Sequence, residues 1–185
     1  MALTKTPVCD FGKKAEDFKL KSINNKVITL NDIKGEKATL IMFICNHCPY
    51  VKAIIKDLAK DCNELRNDGI NSVAIMSNDT KNYPEDSFDN MVKFAVNNNF
   101  GNINYLFDET QEIAKKYGAV CTPDFFGYDK DLKLQYRGRF RELKDLKPIN
   151  NGDSDLKIAM KMVAKTQKGP DQQIPSMGCN IKWFN

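Results

Sequence analysis

The sequence predicts an α/β fold, a mixed central sheet with helices on both faces. Three features carry this prediction. Residues 38–44 (ATLIMFI) form a continuous apolar run, as expected of a strand covered on both sides. Apolar residues then recur at Val51, Ile54, Ile55, Leu58, Cys62 and Leu65, the spacing of one helix face, with Gly69 as its stop. A second apolar run, residues 70–76, completes a β-α-β unit.

The other elements take their places around this unit. Residues 18–30 read as an added N-terminal hairpin with Asn24-Asn25 at its turn. Pro84 suits the first turn of a helix carrying Phe88, Met91, Val92 and Ala95 on one face. A short strand at 103–107 precedes a short helix at 110–117, which stops at Gly118. Residues 124–128 and 132–136 flank a polar turn and read as a hairpin. Asp153 or Ser154 can cap a last helix, 156–166, with Ile158, Met162 and Val163 expected inward. Right-handed crossovers place the parallel strands centrally and the late hairpin antiparallel at one side. Residues 1–168 form one domain on this reading, and 169–185, with two prolines and no periodicity, a C-terminal tail.

Composition narrows the function. A chain of 185 residues, 42% hydrophobic and 28% charged, can bury a core without metals or staples. The net charge of +4 is dispersed, and the densest basic stretch, 137–147, also holds Glu142 and Asp145. That pattern argues against a nucleic-acid surface. No run approaches the ~20 apolar residues of a membrane span. The first 18 residues, with Lys5, Lys13 and Lys14, lack the apolar centre of a secretory signal, so a cytoplasmic location is expected. Cysteines stand at 9, 45, 48, 62, 121 and 179. In a cytoplasmic chain of this size they are catalytic, metal-binding or simply buried.

Only Cys45 and Cys48 are closely spaced, and they sit where the buried strand gives way to the helix. A helix N-terminus offers unpaired N–H groups and about half a positive charge. Both favour a thiolate, which is the reactive form. His47, the only histidine, lies between the cysteines and can favour the thiolate further. Pro49 follows at little cost in the first turn. The same residues could be two core cysteines or half a zinc site. Zinc needs about four ligands, and there is neither a second C-x-x-C nor a spare histidine. Thr122-Pro123 is the second feature. Its X-Pro bond is more readily cis than others, and a proline opening a strand leaves the Thr122 backbone free to pair with an extended substrate.

Strand, C-x-x-C, helix, β-α, Thr-Pro and hairpin together resemble the thioredoxin fold, whose cis-proline packs against the C-x-x-C. Lys14-Ala15-Glu16-Asp17-Phe18-Lys19-Leu20 and Leu30-Asn31-Asp32-Ile33-Lys34-Gly35 look like the opening of its peroxiredoxin (AhpC/TSA) branch. The resemblance spans roughly residues 8–168. It is closest to peroxiredoxin-like thioredoxin-family proteins with Cys-Asn-His-Cys-Pro-Tyr-Val and a late Gly-Cys-x-Ile-Lys-Trp, here Gly178–Trp183. Peroxiredoxins carry P-x-x-x-T-x-x-C and a later arginine that orient the peroxide. With Cys48 in the last place, the threonine position holds Cys45, the proline position holds Ile41, and Thr122-Pro123 replaces the arginine. The scaffold thus resembles a peroxiredoxin and the site a thiol-disulfide oxidoreductase.

The resemblance implies catalytic roles for Cys45, His47, Cys48, Thr122 and Pro123, with Cys45 attacking and Cys48 resolving. Cys121 and Cys179 are candidate resolving thiols, Cys121 as a neighbour of Thr122-Pro123 and Cys179 if the tail folds back, anchored by Trp183 and Phe184. Cys62 falls on the apolar helix face and reads as core; Cys9 has no assignment. Asn78, Asp79, Tyr83 and Asp86 follow the second strand and either line the cleft or cap the next helix. Expected partners are protein or small-molecule thiols and disulfides, or hydroperoxides, with no cofactor, metal, nucleic acid or membrane. A thiol peroxidase, and a copper or zinc carrier using Cys45, His47 and Cys48, are the competing functions.

Overall fold

The computed structural model describes residues 3–184. In chain order its elements are β1 (Leu3–Lys5), β2 (Lys19–Ser22), β3 (Val27–Thr29), α1 (Leu30–Ile33), β4 (Ala38–Phe43) and α2 (Pro49–Leu65). There follow β5 (Ile70–Met76), α3 (Phe88–Asn97), β6 (Asn104–Phe107), α4 (Glu112–Tyr117), β7 (Cys121–Thr122) and β8 (Asp124–Asp129). The chain continues through β9 (Leu134–Tyr136), β10 (Leu143–Lys144), β11 (Lys147–Pro148), α5 (Asp155–Thr166) and β12 (Met177–Asn180).

The main sheet has the order β3-β2-β6-β5-β4-β8-β9. Its centre is parallel, β4 to β5 and β5 to β6, while β8 runs antiparallel along the other edge of β4. All six β4 residues are buried, which explains the unbroken apolar run. Alternation of side chains splits them between two cores. Leu40 and Met42 pack with residues of α2, α3 and α5, and Ile41 and Phe43 with residues of α1 and α4. The fold is thioredoxin-like, with the N-terminal hairpin β2-β3 added beside β6. No helix among the described residues is long and apolar enough to cross a membrane.

Three local expectations are corrected. Pro84 opens a single 3-10 turn, Pro84–Asp86, and not the helix itself. Ser87 is extended (ψ 156°), so α3 starts only at Phe88. Helix α5 buries Leu156, Ala159, Met160 and Val163, an i, i+3, i+4, i+7 set. Ile158 and Met162, expected inward, lie off that stripe and are 55% and 42% exposed. The tail is not wholly irregular, since its strand β12 lies between β1 and β7 in a separate three-stranded sheet.

That last pairing overturns the expectation of a free Thr122 backbone. Thr122 pairs with Cys179, and Cys121 with Asn180. Gly178 makes the close approach feasible, because a Cβ there would fall 2.0 Å from the Thr122 carbonyl oxygen. Trp183 and Phe184, expected to anchor the tail, stay 37% and 44% exposed. The buried Ile181 and the backbone around Lys182 hold it instead. Lys182 N–H donates to Asn78 Oδ1 (2.9 Å), and the Lys182 carbonyl accepts from Asp79 N–H (2.8 Å) and Gln111 Nε2 (2.7 Å).

Candidate active site

Buried β4 delivers the chain to the Cys45–Cys48 turn, and Pro49 at the first position starts α2. The turn itself is fixed by Asp86, whose side chain has no exposure. Its Oδ1 accepts from the Asn46 N–H (2.7 Å) and the His47 N–H (3.3 Å). Its Oδ2 faces His47 Nδ1 (2.7 Å) and accepts from Asn78 Nδ2 (2.8 Å). The Asn46 side chain is held at both ends, donating to the Glu85 carbonyl (3.1 Å) and accepting from the Tyr105 hydroxyl (2.9 Å). This wiring explains why Ser87 is extended, for Asp86 is drawn beneath the turn and serves it rather than capping α3.

Both cysteines are free thiols and almost wholly buried. Cys45 Sγ lies 3.3 Å from Thr122 Oγ1. Cys48 Sγ lies 3.1 Å from the Thr122 carbonyl oxygen and 3.1 Å from Cys179 Sγ. The Thr122-Pro123 peptide is cis. Cys48 is the N-cap of α2 and makes no side-chain capping bond there. Its pKa is lowered, chiefly by the hydrogen bond from Cys45 and against the cost of burial; Cys179 and the Val51 amide add to the effect. Cys45 moves the other way, held protonated by that bond, by burial and by the charge of Asp86. A protonated Cys48 donates to the Thr122 carbonyl; once ionised, it is the acceptor for its neighbouring thiols.

His47 is raised above its ordinary pKa, first by its bond to Asp86 and in spite of partial burial. Its ring stacks on Tyr83 at 5.5 Å and 8°, and Lys182 Nζ lies 5.7 Å from the Tyr83 ring centre. Cys45, His47 and Asp86 each place one ligand atom within 4.8 Å of the others, a possible metal-holding set. The Asp86 oxygens already serve four donors, so an ion there would have to displace the bonds that shape the turn.

The structure brings Cys45, His47, Cys48, Thr122 and Cys179 together. Cys121 is adjacent in sequence but its thiol turns to the Pro123 carbonyl (3.6 Å), and burial pushes its pKa up. Cys62 is buried against Met42 and pushed up to about 12 by burial. Cys9 is partly exposed beside Asp10. Asn78, Tyr105, Gln111 and Lys182 were not singled out for the turn or the tail by sequence reasoning. Asn78 carried a signal in its place at the carboxyl end of a central strand, and Lys182 in its place within Gly178–Trp183.

The fold and the paired thiols at a helix N-terminus define a thioredoxin-fold thiol protein. The chain belongs to the AhpC/TSA family, whose pattern matches residues 11–137. It is similar to an uncharacterized conserved protein from Geobacillus kaustophilus (40% identity over 100% of this chain and 97% of that one, TM-score 0.94). A hypothetical protein from Sinorhizobium meliloti is similar as well (38%, 98% of each chain, TM-score 0.90). The thioredoxin domain of a thiol-disulfide oxidoreductase from Bacteroides vulgatus shares the fold (18%, 69% of this chain and 86% of that one, TM-score 0.58). No curated protein matches the chain.

Proposed function

We propose that this protein is a thiol-disulfide oxidoreductase working through Cys45 and Cys48. The observation that carries the reading is the placement of the two sulfurs at the start of α2, Cys45 against the Thr122 hydroxyl and Cys48 against the Thr122 carbonyl. Cys48 is assigned the attack, in place of the Cys45-first order expected from the sequence, because it stands at the N-cap of α2, where the helix N-terminus favours a thiolate. Its thiolate displaces one sulfur of a substrate disulfide, forming a mixed disulfide and releasing a thiolate. Cys45 then attacks Cys48 Sγ, closes the Cys45–Cys48 disulfide and passes its proton to the second departing thiolate. His47, whose pKa Asp86 raises, favours the ionised sulfur when it is protonated.

Reduction of a small aromatic disulfide by the reduced protein tests this. Cys48→Ser should lower the rate by a factor on the order of 10³ or more. A wild-type protein that consumes no small disulfide, glutathione disulfide or insulin would remove the reading.

One observation favours a second reading, thiol peroxidase. Cys48 combines the lowered pKa with the peroxiredoxin register. Rapid-mixing oxidation by hydrogen peroxide decides it, since a peroxidase must outpace free cysteine by orders of magnitude and leave sulfenate on Cys48.

A further inference from the structure

Strand β12 occupies the edge of β7 on which an extended substrate would add as a strand. Its register sets Cys179 opposite Thr122, the residue that faces both C-x-x-C sulfurs. Cys179 Sγ then meets Cys48 Sγ at 3.1 Å, with both residues buried. Nothing local in the sequence forces this meeting, since the two cysteines are 131 residues apart. It is produced by the glycine at 178, by the pairing of β12 on both sides, and by the bonds that fasten Lys182 to Asn78, Asp79 and Gln111. Cys121, the rival candidate, points its thiol at a carbonyl of its own strand connection.

We propose that Cys179 is a third redox thiol, the tethered resolving partner of Cys48, delivered on a strand that takes the place of a substrate strand. This rests on the oxidoreductase reading and adds a second route out of the mixed disulfide. Cys48 attacks a disulfide RS–SR, forming Cys48–S–S–R and releasing RS⁻. Cys179 then attacks Cys48 Sγ; the Cys48–SR bond breaks, the Cys48–Cys179 bond forms, and the Cys179 proton goes to the departing RS⁻. The two protein thiols lose two electrons and the substrate gains them. In this scheme Cys45 and Cys179 are alternative partners of one central sulfur.

The test is disulfide mapping by mass spectrometry after full-length reduced protein meets one equivalent of an aromatic disulfide and is quenched with alkylating agent. A Cys48–Cys179 linked peptide is expected in the wild type, and as the sole internal disulfide in Cys45→Ser. Cys45→Ser should still release the second substrate thiol from Cys48, while Cys45→Ser/Cys179→Ser should stop at a persistent mixed disulfide on Cys48. Finding only Cys45–Cys48 in the wild type, with Cys45→Ser stalled as a mixed disulfide and Cys179 still alkylated, would overturn the proposal yet leave the oxidoreductase reading standing. Wild-type thiols that fail to react with any disulfide would overturn both.

Discussion

Asp86 holds a carboxylate where no water reaches it, and four donors turned inward from the Cys45–Cys48 region and Asn78 balance that burial. Replacing it with Asn keeps the shape but removes the charge that raises His47. The His47 pKa, followed by NMR titration, should fall towards its ordinary value near 6.5. The thiolate absorbance of Cys48 at pH 7 should fall with it. Because the folded-state pKa of His47 is raised, its stabilising contribution is complete below the unfolded value and disappears as pH rises through the folded one. Wild-type stability should therefore drop across that interval above pH 6.5, and Asp86→Asn should flatten the drop; an unchanged His47 titration would refute the coupling. The sequence exposed Cys45, His47, Cys48, Thr122 and Pro123, because C-x-x-C and Thr-Pro are local signals. It placed Asp86 only as lining the cleft or capping the next helix, because Asp86 serves the site through hydrogen bonds made across the fold and not through a motif.

Among the elements, α5 shows how far periodicity carries. The helix was legible, but its inward stripe only in part: Val163 is buried as expected, whereas Ile158 and Met162 are apolar and exposed and Ala159 and Met160 fill the core. Ser154 was legible as a cap, and it does accept from Lys157 N–H (3.0 Å). Its hydroxyl also donates to Asp61 Oδ2 (2.7 Å), tying α5 to α2. Ser154→Ala should cost about 1–2 kcal/mol by denaturant titration, more than an exposed cap, since it leaves a buried carboxylate oxygen short of a donor. Strand β12 was hidden for a different reason. Four residues bearing glycine and asparagine have weak intrinsic strand preference, and only their partners β1 and β7 make them a strand. Gly178→Val should dislodge it, because the new side chain would start inside the Thr122 carbonyl; the thiol titre of the native protein towards a bulky reagent should then rise.

Taken as one molecule, the chain was readable wherever a single strand or helix buried enough apolar surface to announce itself. The central β4-α2-β5 unit and the late hairpin are of that kind. Charges within the interior were not readable. Asp124 and Arg137 form a buried pair at 3.2 Å, with Asp124 Oδ1 and Arg137 Nε lacking partners among the described residues. Burial pushes the Asp124 pKa up to about 6 despite the guanidinium beside it. A raised carboxyl pKa means the folded state binds the proton more tightly, so this group makes the protein lose stability as pH rises from about 4 to about 6. The loss amounts to about 3 kcal/mol at most. Asp124→Asn should abolish that slope in stability measured against pH; an identical slope in the variant would show that other groups cause it.

The small sheet β1-β12-β7 also bears on how the protein is made. Its middle strand pairs with β1 and β7, both far from it in sequence, and contacts of that kind form late in folding. Until those long-range pairs form, Cys48 lacks Cys179, the neighbour that meets its sulfur in the finished fold. The folding chain is therefore expected to react with thiol reagents more readily than the finished fold does.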